Sequence, residues 1–140
     1  TGAGDDTVSI SCSDYGITVY AGAGNDTIDV NSTYGTVFGD AGNDIITVTK
    51  GSHNIYAGAG KDTITMSGNA YGTVNLDSGN NTIIMSNRNT DTTYNYTTVY
   101  SGTGDDTFIF EIILQFFKVT IGNIYICYHT IIFIYYLCFG

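Results

Sequence analysis

Asp6, Asp26, Asp44, Asp62, Asn81 and Asp106 stand at one recurring place in the chain, separated by 20, 18, 18, 19 and 25 positions. Each follows a glycine by two places (Gly4, Gly24, Gly42, Gly60, Gly79 and Gly104), and in most copies a second glycine (Gly2, Gly22, Gly58, Gly102) stands two places earlier still. Carboxylates that recur with tight glycine turns suit one kind of chemistry, the gathering of oxygens around a hard cation. Such a loop aims several backbone carbonyls and one carboxylate at a single point. A flexible, all-oxygen set of this kind favours Ca²⁺ over Mg²⁺, which demands near-octahedral geometry and keeps its waters. Zn²⁺ calls for His or Cys, and neither recurs at these places. Once the aspartates are assigned to the repeat, no Ser/His/Asp or paired-carboxylate constellation remains, so no catalytic residue is expected.

The elements that must position these groups follow from the same spacing. A period of 18 to 20 residues signals stacked supersecondary units. It is too short for a helical hairpin and fits a rung of strand, turn, strand, turn. After each anchor, apolar residues alternate with polar ones (Val8/Ile10, Ile28/Val30, Ile46/Val48, Ile64/Met66, Ile83/Met85, Phe108/Phe110), as in a half-buried strand. A second ladder, Val19, Val37, Ile55, Val74 and Val99, precedes each glycine turn. The two ladders imply an all-β parallel solenoid of about six rungs over residues 1–110, with a thin core between two sheets. Beside the second ladder runs an aromatic row, Tyr20, Phe38, Tyr56 and Tyr100, broken by Asn75. Alternation turns it outward, where cross-strand packing or a glycan or partner surface is its expected use. The longest rung should place its extra residues in the turn opposite the glycines, where a longer loop costs little.

Stacking in register sets neighbouring rungs about 4.8 Å apart. Two carboxylates at that separation repel by roughly 0.9 kcal/mol in water and on the order of 3.5 kcal/mol at an effective dielectric of 20. A divalent cation between successive turns reverses the sign. The glycine before each anchor occupies its place without exception, which implies a positive φ or a close backbone approach.

These residues resemble the nonapeptide G-G-x-G-x-D-x-U-x of the RTX (haemolysin-type) calcium-binding repeats, most clearly in AGAGNDTID (21–29), GDAGNDIIT (39–47), AGAGKDTIT (57–65) and SGTGDDTFI (101–109). The resemblance covers residues 1 to about 109. It implies a right-handed parallel β-roll with Ca²⁺ held between the turns of successive rungs. Asp6, Asp26, Asp44, Asp62 and Asp106 would be the side-chain ligands. Several departures stand out. The first motif glycine is mostly replaced, by Ala21, Ala57, Leu76 and Ser101. Asp40 and Asp77 stand where the second belongs, and aspartate tolerates left-handed turns. Asn81 offers a neutral oxygen in place of a carboxylate, so its site should be the weakest or empty. Lys61 adds a repelling charge. The motif occurs once per rung, so one row of ions is expected.

Composition narrows the function. Lys plus Arg number 4 against 13 acids, for a net charge of −9, which argues against nucleic acid as a partner. Every acid except Glu111 is Asp, and Pro is absent. Cys12, Cys127 and Cys138 form no C-x-x-C spacing, so neither a disulfide framework nor a zinc site is expected; His53 and His129 read as structural or solvated. The chain starts inside a repeat without an initiator Met and reads as a fragment of something longer. Residues 111–140 change character to an Ile/Tyr/Phe-rich stretch in which the motif never returns. Three readings of it stay open: a membrane anchor, an apolar cap on the end of the roll, or an out-of-frame translation. Together these features imply an extracellular module, secreted or on a cell surface, that folds and stiffens on binding calcium ions. The alternatives are a calcium-independent structural or adhesive spacer and the appended repeat region of a secreted hydrolase or lyase. Membrane contact enters only if the tail is genuine.

Overall fold

A computed structural model describes residues 1–13, 16–87, 97–111, 117–121, 124–128 and 134–139, with backbone alone at Asn87 and in the last three of these segments. The alternating runs form strands β1 (Gly2–Ala3), β2 (Thr7–Ser11), β3 (Ile17–Ala23), β4 (Thr27–Asn31), β5 (Tyr34–Ala41), β6 (Ile45–Tyr56), β7 (Thr63–Asn75), β8 (Thr82–Asn87), β9 (Thr97–Tyr100) and β10 (Asp106–Glu111). Three more follow, β11 (Phe117–Ile121), β12 (Ile124–Tyr128) and β13 (Ile134–Phe139). All pairings among β1 to β10 are parallel. Strands β1 to β10 form a parallel β-solenoid, and the described residues are all-β.

Two ladders make its walls. In the first, Thr7, Thr27, Ile45, Thr63, Thr82 and Thr107 stand in one column through β2, β4, β6, β7, β8 and β10. In the second, Val19, Val37, Ile55, Val74 and Val99 align through β3, β5, β6, β7 and β9. Strands β6 and β7 run through the turn opposite the glycines without interruption and so belong to both walls. Between the walls lie Ile28, Ile46, Ile64, Ile83 and Phe108, then Val30, Val48, Met66, Met85 and Phe110, all buried. Period two alone produces this core, because parallel stacking places like residues over like.

The turn opposite the glycines absorbs every irregularity of length. The register shifts between Val48 and Lys50, where β7 carries an additional residue. The insertion of the longest rung falls between Met85, which pairs with Met66, and Thr97, which pairs with Gly72; residues 88–96 lie outside the described residues. On that same edge His53 is buried, with Nε2 lying 3.1 Å from the carbonyl of Ser32 and 3.0 Å from that of Lys50. Both partners are acceptors, so Nε2 carries the proton and ties two rungs together. His129 and the loops of the tail lie outside the described residues. β11 and β12 form an antiparallel hairpin, and β13 lies antiparallel on β10, pairing Asp106 with Phe139 and Glu111 with Ile134.

Candidate metal centre

The glycine edge is built from two features of the turn, one backbone and one side-chain. Gly24, Gly42, Gly60, Gly79 and Gly104 all have φ between 118° and 147°. A Cβ added at Gly42 or Gly60 would lie 1.8 Å from the carbonyl oxygen of the preceding glycine in the column. Both expectations for this place hold, the left-handed backbone and the close approach, and only glycine meets them together. Two places earlier, Asp40 (φ 70°) and Asp77 (φ 58°) adopt the left-handed conformation that Gly22, Gly58 and Gly102 adopt in their rungs.

The anchor residues point between the walls rather than out of the turn. Asp26, Asp44, Asp62, Asn81 and Asp106 are each at most 2 % exposed, and Asp6 is half-buried. They continue the inward face of the strand that follows, so Asp26, Ile28 and Val30 lie on one side. Each also ties two rungs. The backbone N–H of Asp6 donates to Asp26 Oδ1 at 2.7 Å, that of Asp26 to Asp44 Oδ1, and that of Asp44 to Asp62 Oδ1, both at 2.8 Å. The N–H of Asp62 donates to Asn81 Oδ1 at 2.8 Å and that of Asn81 to Asp106 Oδ1 at 2.9 Å. The predicted column therefore exists, and half of each side chain is already used to hold it together.

The other half is left over. Oδ2 of Asp26, Asp44, Asp62 and Asp106 is buried and has no hydrogen-bond partner. A buried carboxylate oxygen without a donor is costly, and the acidities reflect it. Burial pushes the Asp62 carboxyl up from its ordinary 3.8 to about 6, with repulsion from Asp44 and Asp77 adding to it and the N–H of Asp44 opposing it. Burial also raises Asp44 and Asp106.

Backbone oxygens are left over at the same place. In the turn before Asp62, the carbonyls of Gly58, Ala59 and Asp62 accept bonds from neighbouring rungs. Those of Ala57, Gly60 and Lys61 meet no donor among the described residues. Near the corresponding turn of the previous rung, Asp44 Oδ2 lies 2.6 Å from where a Cβ on Gly39 would sit, so the spare oxygen faces the start of its own turn. Among the described residues, no three His, Cys, Asp or Glu side chains converge on a point. An ion at this edge would take one carboxylate oxygen per rung and the rest of its shell from carbonyls and water. That donor set is hard, all-oxygen and only partly charged, and it fits Ca²⁺.

Sequence reasoning located these columns but missed two others. The residue before each anchor forms an outer ladder of opposite sense. The N–H of Asn25 donates to Asp5 Oδ1 at 2.7 Å, Asn43 to Asn25 Oδ1 at 2.8 Å, Lys61 to Asn43 Oδ1 at 2.7 Å and Asp105 to Asn80 Oδ1 at 3.0 Å. The recurrence of Asp or Asn at this place was the available signal. The first motif position, where glycine is replaced, is a core position: Ala21, Ala57 and Leu76 are completely buried. On the wall behind, Tyr20, Phe38 and Tyr56 stack outward with ring centroids 4.8 and 4.9 Å apart.

Residues 18–32 and 38–65 match the family model of the RTX calcium-binding nonapeptide repeat, in four copies. No curated protein and no solved structure matches the chain.

Proposed function

We propose that this chain, which carries RTX calcium-binding repeats, is a module of a secreted or cell-surface protein that completes its fold and stiffens when Ca²⁺ binds along the glycine edge. The observation that carries the reading is the row of buried, partnerless Oδ2 atoms, joined in the Asp62 turn by the donorless carbonyls of Ala57, Gly60 and Lys61. Asp6, Asp26, Asp44, Asp62 and Asp106 would hold the ions, together with carbonyls of the turns that contain Gly2, Gly4, Gly22, Gly24, Gly42, Gly58, Gly60, Gly79, Gly102 and Gly104. The ion supplies the positive charge that this cluster of acceptors lacks. The protein's own part is to set the acceptors in place: glycine admits the close approach, and the Oδ1 bonds aim each carboxylate inward. Because the rungs meet at these atoms, binding energy becomes folding energy.

The module is non-catalytic in this reading, an extracellular repeat region spanning residues 1–110, and any hydrolase or lyase activity would belong to other sequence. Within residues 111–140, β13 acts as an end cap, for which its pairing on β10 is the support. No helix among the described residues is long and apolar enough to cross a membrane. A calcium-independent spacer is favoured by one observation, that the inner ladder of N–H to Oδ1 bonds runs unbroken from Asp6 to Asp106 and by itself ties each rung to the next.

Far-UV circular dichroism with Ca²⁺, with Mg²⁺ as control and with chelator to reverse it, separates the two. A gain of β signal with Ca²⁺ alone, lost on chelation, supports the metal-completed roll. A β spectrum and a urea midpoint indifferent to both ions would leave a passive spacer.

A further inference from the structure

The turn of Asn81 differs from its neighbours in the sign of one atom. Asn81 Oδ1 accepts the N–H of Asp62 at 2.8 Å, as each aspartate Oδ1 does for the rung before it. That bond fixes the orientation of the side-chain amide, because only the oxygen can accept. The atom in the place of the partnerless Oδ2 is therefore Nδ2, a donor. It reaches the carbonyl of Leu76 at 2.9 Å and, more weakly, that of Gly79 at 3.4 Å. Leu76 and Gly79 hold the motif places of Ala57 and Gly60, whose carbonyls meet no donor among the described residues. In the neighbouring turn, the carbonyls of Ala57, Gly60 and Lys61 and Oδ2 of Asp62 meet no donor among the described residues. In this turn, an amide N–H₂ points at two of those acceptors and satisfies them.

We infer that the Asn81 side chain is a built-in stand-in for the cation of its own turn, so that this turn closes without metal and divides the row of ions in two. Asp6, Asp26, Asp44 and Asp62 form one group of ligands, and Asp106 lies alone on the far side. The inference rests on the calcium reading for what occupies the other turns, but its own basis is the donor at Nδ2. It sharpens the expectation that the Asn81 site is the weakest or empty: the oxygen is committed to Asp62, and what faces the turn would repel a cation. The difference between the two side chains is one of sign. An unpaired buried acceptor costs free energy, whereas a donor and acceptor brought together recover it. Asn81 also donates its own N–H to Asp106 Oδ1 at 2.9 Å, so the metal-free turn holds the rung on each side. In the absence of calcium, these contacts are the ones that remain complete.

The test uses the full chain and two opposite substitutions, Asn81→Asp and Asp62→Asn, each read in two ways. Urea unfolding in chelator should give a lower midpoint for Asn81→Asp, which creates a further spare Oδ2, and a higher midpoint for Asp62→Asn, which removes one. Equilibrium dialysis against Ca²⁺ should give one additional ion per chain for Asn81→Asp and one fewer for Asp62→Asn. If Asn81→Asp does not fold in chelator, the rise for Asp62→Asn and the ion count in calcium still decide. A midpoint for Asp62→Asn at or below that of the unaltered protein, or an unchanged ion count for Asn81→Asp, overturns the inference while calcium binding stands. Absence of calcium binding by the unaltered protein instead overturns the calcium reading, and the chelator midpoints then judge the amide bridge alone.

Discussion

The two edges of the solenoid are made of the same chain, turned twice per rung, yet they obey opposite rules. The glycine edge keeps its columns in register through every rung, with backbones so close that a methyl group would overlap a carbonyl. The opposite edge carries the register shift at Val48/Lys50 and the insertion between Met85 and Thr97. It is held by the His53 ring, whose Nε2 bridges the carbonyls of Ser32 and Lys50. The difference teaches what register is for. Where the backbones of successive rungs touch, no position is free to move. Where the chain only has to reverse, length is free to vary.

The most severe test of the comparison is Gly60→Ala. The added Cβ would lie 1.8 Å from the carbonyl oxygen of Gly42 at a φ of 147°, so a loss of about 3 kcal/mol or more is expected. Urea unfolding in saturating calcium should show it, and a loss below about 1 kcal/mol would mean that the edge can open to admit a side chain. Next comes Asp44→Ala, which leaves the N–H of Asp26 without its acceptor and, on the proposed calcium reading, removes one ligand. Stability in calcium should fall by about 1–3 kcal/mol, and the calcium needed for half-folding should rise. An unchanged calcium midpoint would detach the column from the ion.

Acidity sharpens the same contrast. A carboxyl raised above its unfolded value stabilises the fold below the unfolded pKa and loses that contribution as pH rises through the folded one. For Asp62 the window runs from about 4 to about 6. In chelator, the urea midpoint should therefore fall between pH 5 and pH 7.5, with Asp44 and Asp106 acting in the same direction. On the proposed calcium reading the fall should shrink or reverse in calcium, since an ion at the spare oxygen would take the place of the proton. A midpoint that rises with pH in chelator would contradict the burial of these groups.

Smaller effects belong to the other edge and the outer wall. His53→Leu leaves the Ser32 and Lys50 carbonyls without their donor and should cost about 1–2 kcal/mol, equally with and without calcium. A loss that appears only in calcium would couple the two edges. Phe38→Ser interrupts the stack between Tyr20 and Tyr56 and should cost about 0.5–1 kcal/mol, leaving the number of bound ions unchanged.

Much of this architecture was legible in the sequence for a simple reason. Parallel stacking repeats the environment of each place, so a column of like residues in space is a period along the chain. Ile28, Ile46, Ile64 and Ile83 announce one core column, and the anchors announce the edge. What escaped is whatever depends on the direction of a bond rather than on residue type. An aspartate at a given spacing does not reveal that Oδ1 is spent on the previous rung and Oδ2 is spare. An asparagine in the same place suggests a site that is weak or empty, and only the position of its nitrogen shows a donor. Against the motif Ala21, Ala57 and Leu76 look like lost glycines, although alternation from Val19, Ile55 and Val74 places them inside.

The outer ladder has a mechanical consequence. Along the glycine edge, two ladders of opposite sense join each rung to the next, so that edge behaves as a stiff spine against pulling along the axis. Lys61 donates to Asn43 but has no side-chain oxygen to accept from Asn80, and there one strand of the spine is missing. With calcium joining the other turns, the solenoid should crack first under tension at that notch, between the rung of Lys61 and the rung of Asn80. The shank would part into two shorter rods, each intact, rather than unravel from its ends.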